Sequence, residues 1–567
     1  MSLPTFSEKS KIQVEGNLMD TEADQNTIAP EPKDVESAST ATVTPPAWKG
    51  IMLTAVCTLS IILVSATLSG GLISLPQIGV ALNIREDQLQ WVTSAYALSS
   101  GCLLILFGRL ADLHGRRKVF ILGCIFQGAF ALGSGFAKDL VSIGVLRAFQ
   151  GIGAAATIPA SLGILAHAFP PGPSRALAFA TFSAGQPLGG GLGFAIGGLL
   201  TTYAHTTWQT MFFVVAGLSV LCIAGALVFI DPDHPTTEVD RRVDWLGAFL
   251  VTAGLTFIVF ILSDGEVAPR QWRTPYIIAL LIIGVFFLCL FVAWQWHLER
   301  PEVRASYSRW APPPLMKLSL WKRGNGKFAV MQCIVLCLMS AFQSWMFWTV
   351  LYYQSYKQYS PVLTMIRMLP MIPAGITCNI IIGLLIGRIP AVYLIATGCL
   401  CTGIAGLLFA VINTSATYWA FGFPAAIISV WGADFVFAAG SLYIAKVSLP
   451  HEQSLSGGLF QTMTQLGTSL GLSITTIVFD RVRAQESAKM GVIIDVTGSN
   501  APLPAQLHAY RAAQWTVLGL GAFAAIMAVI FLRGAGIVGG PHKPEETEIQ
   551  EKEERRSENT EVSNRAL

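Results

Sequence analysis

Arg147 stands inside a long apolar run, 141–168, with Gln150 one helical turn later and a small-residue face at Gly151, Gly153 and Ala154. Burying a guanidinium in hydrocarbon costs at least about 2.5–3.5 kcal/mol, so such a residue faces a cavity or a partner and marks a pathway. The alternative is an Arg that snorkels to the outer face. A second charge lies in the run 417–445, at Trp431-Gly-Ala-Asp434-Phe, and Asp434 is the one carboxylate deep within any apolar run. Its structural alternatives are capping a kink or pairing with a Tyr such as Tyr443. A third group is the turn Gly108 to Lys118, Gly-Arg-Leu-Ala-Asp-Leu-His-Gly-Arg-Arg-Lys. There Gly108 and Gly115 allow close backbone approach, Asp112 can meet a helix N-terminus or an Arg, and Arg116 and Arg117 supply positive charge. The chemistry on offer is charge movement and gating. No Ser/His/Asp, metal-ligand or phosphate-loop constellation is present, so enzyme activity is not expected. The ten cysteines all fall in apolar runs without a neighbouring His or carboxylate. They read as packing residues, with no metal and no cofactor expected.

These residues need elements that span a bilayer. The chain of 567 residues is 53% hydrophobic and only 13% charged, against about 25% charged in soluble domains, which makes it a polytopic membrane protein in contact with lipid. Its net charge of +3 is spread over loops with no basic stripe interleaved with aromatics, so nucleic acid is not an expected partner. Apolar runs at 51–75, 89–107, 119–137, 141–168, 176–200, 208–230, 246–262, 275–296, 328–351, 363–386, 390–412, 417–445, 457–479 and 514–533 make fourteen candidate spans. With the N-terminus inside, the short inner loops carry 16 Lys and Arg against 9 outside, which predicts that both termini are cytoplasmic. The polar segments 1–48 and 534–567 are expected to be disordered, and no signal peptide is visible. Asn413-Thr-Ser415 is a glycosylation sequon on the outer side of this topology.

Gly383-Leu-Leu-Ile-Gly387-Arg388 is a shortened echo of the Gly108 turn. If the two correspond, spans 9–14 repeat spans 1–6, giving bundles at 49–230 and 328–533. Residues 231–327 are then an inserted pair, spans 7 and 8, with a cytoplasmic tether. The fifth span carries Gly185, Gly189, Gly193 and Gly197 every fourth residue, followed by Gly198. Such a stripe lets another helix pack at backbone distance; plain close packing without a direction-setting role is the alternative.

The spacing Gly-x-x-x-Asp-x-x-Gly-Arg-Arg-Lys resembles the signature loop between helices 2 and 3 of the major facilitator superfamily. Arg147-x-x-Gln150-Gly-x-Gly-Ala-Ala resembles its helix 4 motif, in which that Arg is implicated in proton coupling. Gly189-x-x-x-Gly193-Phe194-Ala-Ile-Gly197-Gly198 is similar to its exporter motif, with Phe194 where a proline is usual and Pro187 as the expected bend. Tyr352-Tyr353-Gln354 and Leu449-Pro450-His-Glu-Gln453 match further stretches. Together the motifs resemble the fourteen-helix drug:proton antiporter branch in a fungal-type form, over about 51–533. Drug-exporting members usually carry Asp-x-Thr in helix 1, where this chain has Thr67-Leu68-Ser69.

The resemblance implies an all-α major facilitator fold: two pseudo-symmetric six-helix bundles plus the inserted pair, fourteen transmembrane helices in all. It implies a cavity lined by spans 1, 4, 9 and 12, with Gln150, Gln332, Gln343, Trp345 and Trp431 facing a large, mostly apolar ligand. Trp345 and Trp348 have an interfacial belt as their alternative, and Arg367 is expected to bind a carbonyl or an inter-half acid. With no acid at Thr67, Asp434 is expected to carry the proton and Arg147 to modulate it. The function implied is proton-coupled export of amphipathic small molecules such as drugs or a toxin, by a monomer in the plasma membrane or the vacuolar membrane. Proton-coupled uptake of a nutrient, metabolite or siderophore, or a non-transporting receptor of the same fold, are the alternatives.

Overall fold

A computed structural model describes residues 47–169, 173–233, 241–265, 268, 271–300, 312–449, 452–494 and 500–537. The two polar tails, apart from their innermost residues, and the 301–311 part of the tether lie outside the described residues, as do Pro450 and His451. Within them the regular structure is helical: α1 Ala47–Ile73, α2 Leu75–Leu82, α3 Gln90–His114, α4 Arg116–Ser134, α5 Leu140–Ala168, α6 Pro173–Tyr203, α7 Gln209–Phe229, α8 Trp245–Asp264, α9 Pro275–Glu299, α10 Lys327–Leu351, α11 Pro361–Met368, α12 Met371–Leu385, α13 Ala391–Ala410, α14 Tyr418–Val447, α15 Gln453–Lys489 and α16 Leu503–Phe531.

Each of the fourteen apolar runs falls on helix, the tenth being broken into α11 and α12 at Leu369-Pro370. Pro370 has no N–H to continue the ladder. Eleven of the described spans are long and apolar enough to cross a membrane, with α11 and α12 counted as one. The other three runs are α4, which opens on Arg116-Arg117-Lys118, the glycine-rich α6, and α15, which is rich in Ser, Thr and Gln. The helices carry apolar side chains on exposed faces and small or polar ones where they meet each other. In α9, Ile282, Val285 and Phe286 are exposed while Gly284 and Gln295 are buried.

Helix starts are set locally. Asp139 accepts the Ser142 N–H at 2.7 Å, and Ser142 Oγ accepts the Asp139 N–H at 3.2 Å. This reciprocal cap fixes where α5 begins and so places Arg147 about 10 Å along it.

Two sets of helices use one packing plan. In the first, α1 lies on α6 and α7, α5 on α3 and α4, and α4 on α7. In the second, α10 lies on α15 and α16, α14 on α12 and α13, and α13 on α16. The sets meet along two seams, α3 with α15 and α6 with α11 and α12. Of the inserted pair, α8 packs on α9 and against both α3 and α15. Asp244, buried at the start of α8, accepts from the Gly247 N–H, Trp294 Nε1 and Gln295 Nε2 at 2.6–2.9 Å. Gln295 Oε1 in turn accepts the Met316 N–H, tying the tether to α9.

Candidate functional site

Arg147 is 1% exposed, so it does not snorkel. Its Nε donates to the Val92 carbonyl of α3 at 2.8 Å and its Nη1 to Gln150 Oε1 at 2.9 Å. The guanidinium lies 4.6 Å from the centroid of the Tyr96 ring and 5.9 Å from that of Phe212. A charge denied water is held here by a carbonyl, an amide and two aromatic rings. None of these partners is a carboxylate.

Asp434 is half-buried on α14. Asn379 of α12 donates to its Oδ2 at 3.1 Å and to the Gly375 carbonyl at 2.9 Å. One turn before, Trp431 Nε1 donates to the Ala374 carbonyl at 3.1 Å, so the same face of α14 grips α12 twice. The amide, rather than Tyr443, is the partner. The structure therefore joins Arg147 to Gln150 and Asp434 to Asn379, and does not join the two charges.

The α3–α4 turn is anchored on three sides. Asp112 Oδ1 accepts from Arg116 Nε and Nη2 at 3.2 and 2.9 Å, and Arg116 Nη1 donates to the Gly163 carbonyl of α5 at 3.0 Å. Arg117 Nη2 donates to the Leu227 carbonyl of α7 at 2.7 Å. Asp112 thus meets an Arg, and the helix N-terminus is taken by Asp233, whose carboxylate accepts the Arg117 and Lys118 N–H groups at 2.9 and 3.1 Å. Gly115 has φ +106°, and a Cβ there would strike Asp233, so glycine is required. Gly108 faces Pro159 of α5.

The glycine stripe lies flush on α1. A Cβ at Gly193 would sit 2.5 Å from the Ala66 carbonyl oxygen, and one at Gly197 2.8 Å from Gly70 Cα. Gly185 meets Thr58 and Ile61, and Gly189 meets the Ile62 backbone. Gly198 instead faces Met365 of α11, as Gly191 faces Ile372 of α12, so α6 packs tightly on both its own bundle and the other. Pro187 lies within the uninterrupted α6.

A family model described as Major Facilitator Superfamily matches residues 55–263 and 241–472. The chain belongs to the major facilitator superfamily. It is a multi-pass membrane transporter of that family. It is 26% identical over 529 residues to MFS-type transporter 1 of Pyricularia oryzae, covering 85% of this chain and 84% of that one. It is 28% identical over 446 residues to the low affinity ammonium transporter of Saccharomyces cerevisiae, with 77% and 82% coverage. It is 28% identical over 473 residues to efflux pump terJ of Aspergillus terreus, with 79% and 86% coverage. Among solved structures it is similar to the POT family transporter PepTSo, with TM-score 0.60 at 12% identity over 85% of this chain and 98% of that one, a likeness of fold.

The remaining residues of this transporter read from sequence are scattered. Gln332 is fully buried on α10 with neither amide atom partnered, and Gln343 is half-buried on the same helix. Trp345 and Trp348 are fully buried, which removes them from a lipid-facing belt. Trp345 packs edge-on to Phe409, and Trp348 stacks on Phe479. Arg367 stands over the rings of Tyr353, Tyr359 and Tyr418 instead of binding an acid. Asn413 is exposed, its Oδ1 accepting from the Ser415 N–H and hydroxyl.

Sequence reasoning passed over three partners. Asn379 had one signal, a lone amide in an apolar run. Asp233 had none, being one acid among several in a loop. The third is Gln354, which links the bundles at the end opposite the α3–α4 turn. It accepts from Gln77 Nε2 at 3.0 Å and donates to the Ile73 carbonyl at 2.8 Å. Tyr510 donates to Glu86 at that same end.

Proposed function

We propose that the chain is a proton-coupled exporter of amphipathic small molecules, of the fourteen-helix antiporter branch. In this reading, residues 49–230 and 328–533 rock as two bundles about a central site, and 231–327 supply the inserted pair and tether. The observation that carries it is Asp434: an ionisable group, half-buried at mid-span, held by a single neutral amide, so that protonation costs it no ionic partner. Arg147 supplies a fixed positive charge in the opposite bundle. One inward proton contributes about 2.3 kcal/mol per 100 mV, enough to drive an apolar cargo uphill. The name of efflux pump terJ supports the direction, and a monomer in the plasma membrane, or secondarily the vacuolar membrane, is the unit proposed.

The test is export by purified protein in liposomes, with ethidium as the amphipathic probe and an imposed proton gradient. Ethidium moves against its own gradient and stops when a protonophore is added. Movement indifferent to the protonophore defeats the coupling. A second reading, uptake, draws on the low affinity ammonium transporter among the relatives. Methylammonium accumulated down the proton gradient in the same vesicles, with ethidium static, would favour it.

A further inference from the structure

The end of the second bundle opposite the α3–α4 turn contains a cavity of about 150 Å³ that is separate from both Arg147 and Asp434. Its wall joins the π-helical turn Tyr352–Tyr356, α11, the 411–417 loop and the start of α14. Two cations line it, Lys357 and Arg367, and no acidic residue does among the described residues. Among the described residues neither cation is in an ion pair.

The wall is built rather than loose. Tyr418 OH donates to the Arg367 carbonyl at 2.7 Å, Lys357 Nζ donates to the Thr414 carbonyl at 2.5 Å, and the Tyr359 N–H donates to the Tyr353 carbonyl at 2.9 Å. The Arg367 guanidinium carbon is 4.1 Å from the Tyr359 ring centroid and 5.2–5.3 Å from those of Tyr353 and Tyr418. Ring faces attract a guanidinium through its plane, whereas a carboxylate is bound in plane by its N–H edge. Tyrosines around the cation are thus compatible with an anion at its rim. The volume matches cavities that hold one benzene ring, about 150 Å³.

We propose that this cavity is a binding site for a small aromatic or similarly compact organic carboxylate, its charge on Arg367 and Lys357 and its apolar body against the tyrosines. The same turn that supplies Tyr352 and Tyr353 carries Gln354, the residue that links the two bundles. The site therefore adjoins that link between the bundles.

Benzoate is the probe and benzamide its uncharged counterpart, titrated calorimetrically into the purified full-length chain in nanodiscs with no gradient imposed. Benzoate binds saturably, and benzamide about tenfold or more weaker, as the loss of a charge-assisted contact requires. Arg367→Gln weakens benzoate about tenfold and Lys357→Gln by a smaller factor, on the same ground. To locate the site, a Thr417→Cys variant is labelled with a membrane-impermeant thiol reagent, and saturating benzoate slows the reaction while benzamide does not. Equal binding of benzoate and benzamide, absence of saturable benzoate binding, or unchanged labelling of Thr417→Cys overturns the proposal. So does unchanged benzoate affinity in folded Arg367→Gln and Lys357→Gln; should Arg367→Gln fail to fold, Lys357→Gln alone decides that arm.

Discussion

Arg147 on α5 and Asp434 on α14 occupy counterpart helices of the two bundles, yet they are treated oppositely. The arginine is sealed from solvent, with a carbonyl, an amide and two rings fixed around it. The aspartate is half-buried and has one amide for company. A guanidinium never loses its proton in a protein, so enclosing it costs nothing in mobility of charge. A carboxyl that is to load and release a proton needs the opposite, an open approach and no cation clamped to it. The surroundings repeat the contrast: α6 lies flush on α1 along its glycines, whereas the helix facing Asp434 is broken at Leu369-Pro370.

The largest effect expected from breaking this contrast is at Asp434. Replacing it with Asn keeps the shape and the Asn379 contact but removes the proton. Gradient-driven accumulation in vesicles should fall by up to about fiftyfold, the ratio that one proton at 100 mV can sustain, while exchange down a substrate gradient persists. Full uphill transport by Asp434→Asn would leave the aspartate as a structural residue. At Arg147 the expected loss is of the fold as well as of transport. Arg147→Gln leaves Gln150 Oε1 without its donor and removes the charged contact on the Val92 carbonyl, at about 1–3 kcal/mol. Thermal unfolding in detergent reads it, and Arg147→Lys should not restore it, because an ammonium lacks the planar fork.

Glycines sharpen the comparison further. Gly193→Val must push α6 off Ala66, at about 1–3 kcal/mol of overpacking, whereas nothing lies within 4 Å of a Cβ at Gly383 of α12. Gly383→Ala should therefore be neutral, or more stable by up to about 1 kcal/mol from helix propensity. Equal destabilisation of both would remove the distinction between the packed face of α6 at Gly193 and the open face of α12 at Gly383.

The smallest effect concerns Glu452, a fixed carboxylate in Asp434's own bundle. Burial pushes its carboxyl up, but Lys317 and Arg323, at 3.1 and 2.9 Å, outweigh that and hold it below its ordinary value of 4.5. A depressed folded-state value means that the contribution is complete above the unfolded value. It is lost as pH falls from about 4.5 through the lowered one. The melting-temperature gap between the parent and Glu452→Gln should be present at neutral pH and close in acid; a gap constant with pH would assign the effect to packing.

The helices were legible because a membrane leaves few choices: long apolar runs must satisfy their own backbone, and all fourteen fall on helix. The glycine stripe was legible for a related reason, since a four-residue period of bare backbone has one obvious use. Arg147 with Gln150 and Asp112 with Arg116 could be read because the partners are three and four residues apart on one helix face or turn. Partners distant in sequence could not. Asn379 meets Asp434 across 55 positions and Asp233 caps α4 across 116, and neither leaves a local pattern. Trp345 and Trp348 sit near a span end, where sequence cannot separate a lipid belt from a packed aromatic cluster; that choice belongs to the neighbours Phe409 and Phe479.

Helix α8 occupies the groove over the α3–α15 seam, with Val259 packed among Leu98, Cys102 and Leu466. On that flank α8 stands between the α3–α15 junction and whatever surrounds the bundles. The α6 seam has no such cover from the inserted pair. For a hydrophobic solute that arrives by partitioning into a bilayer rather than through water, the two seams differ: among the described residues, the one left uncovered by α8 and α9 is where Gly191 and Gly198 bring α6 against the broken helix.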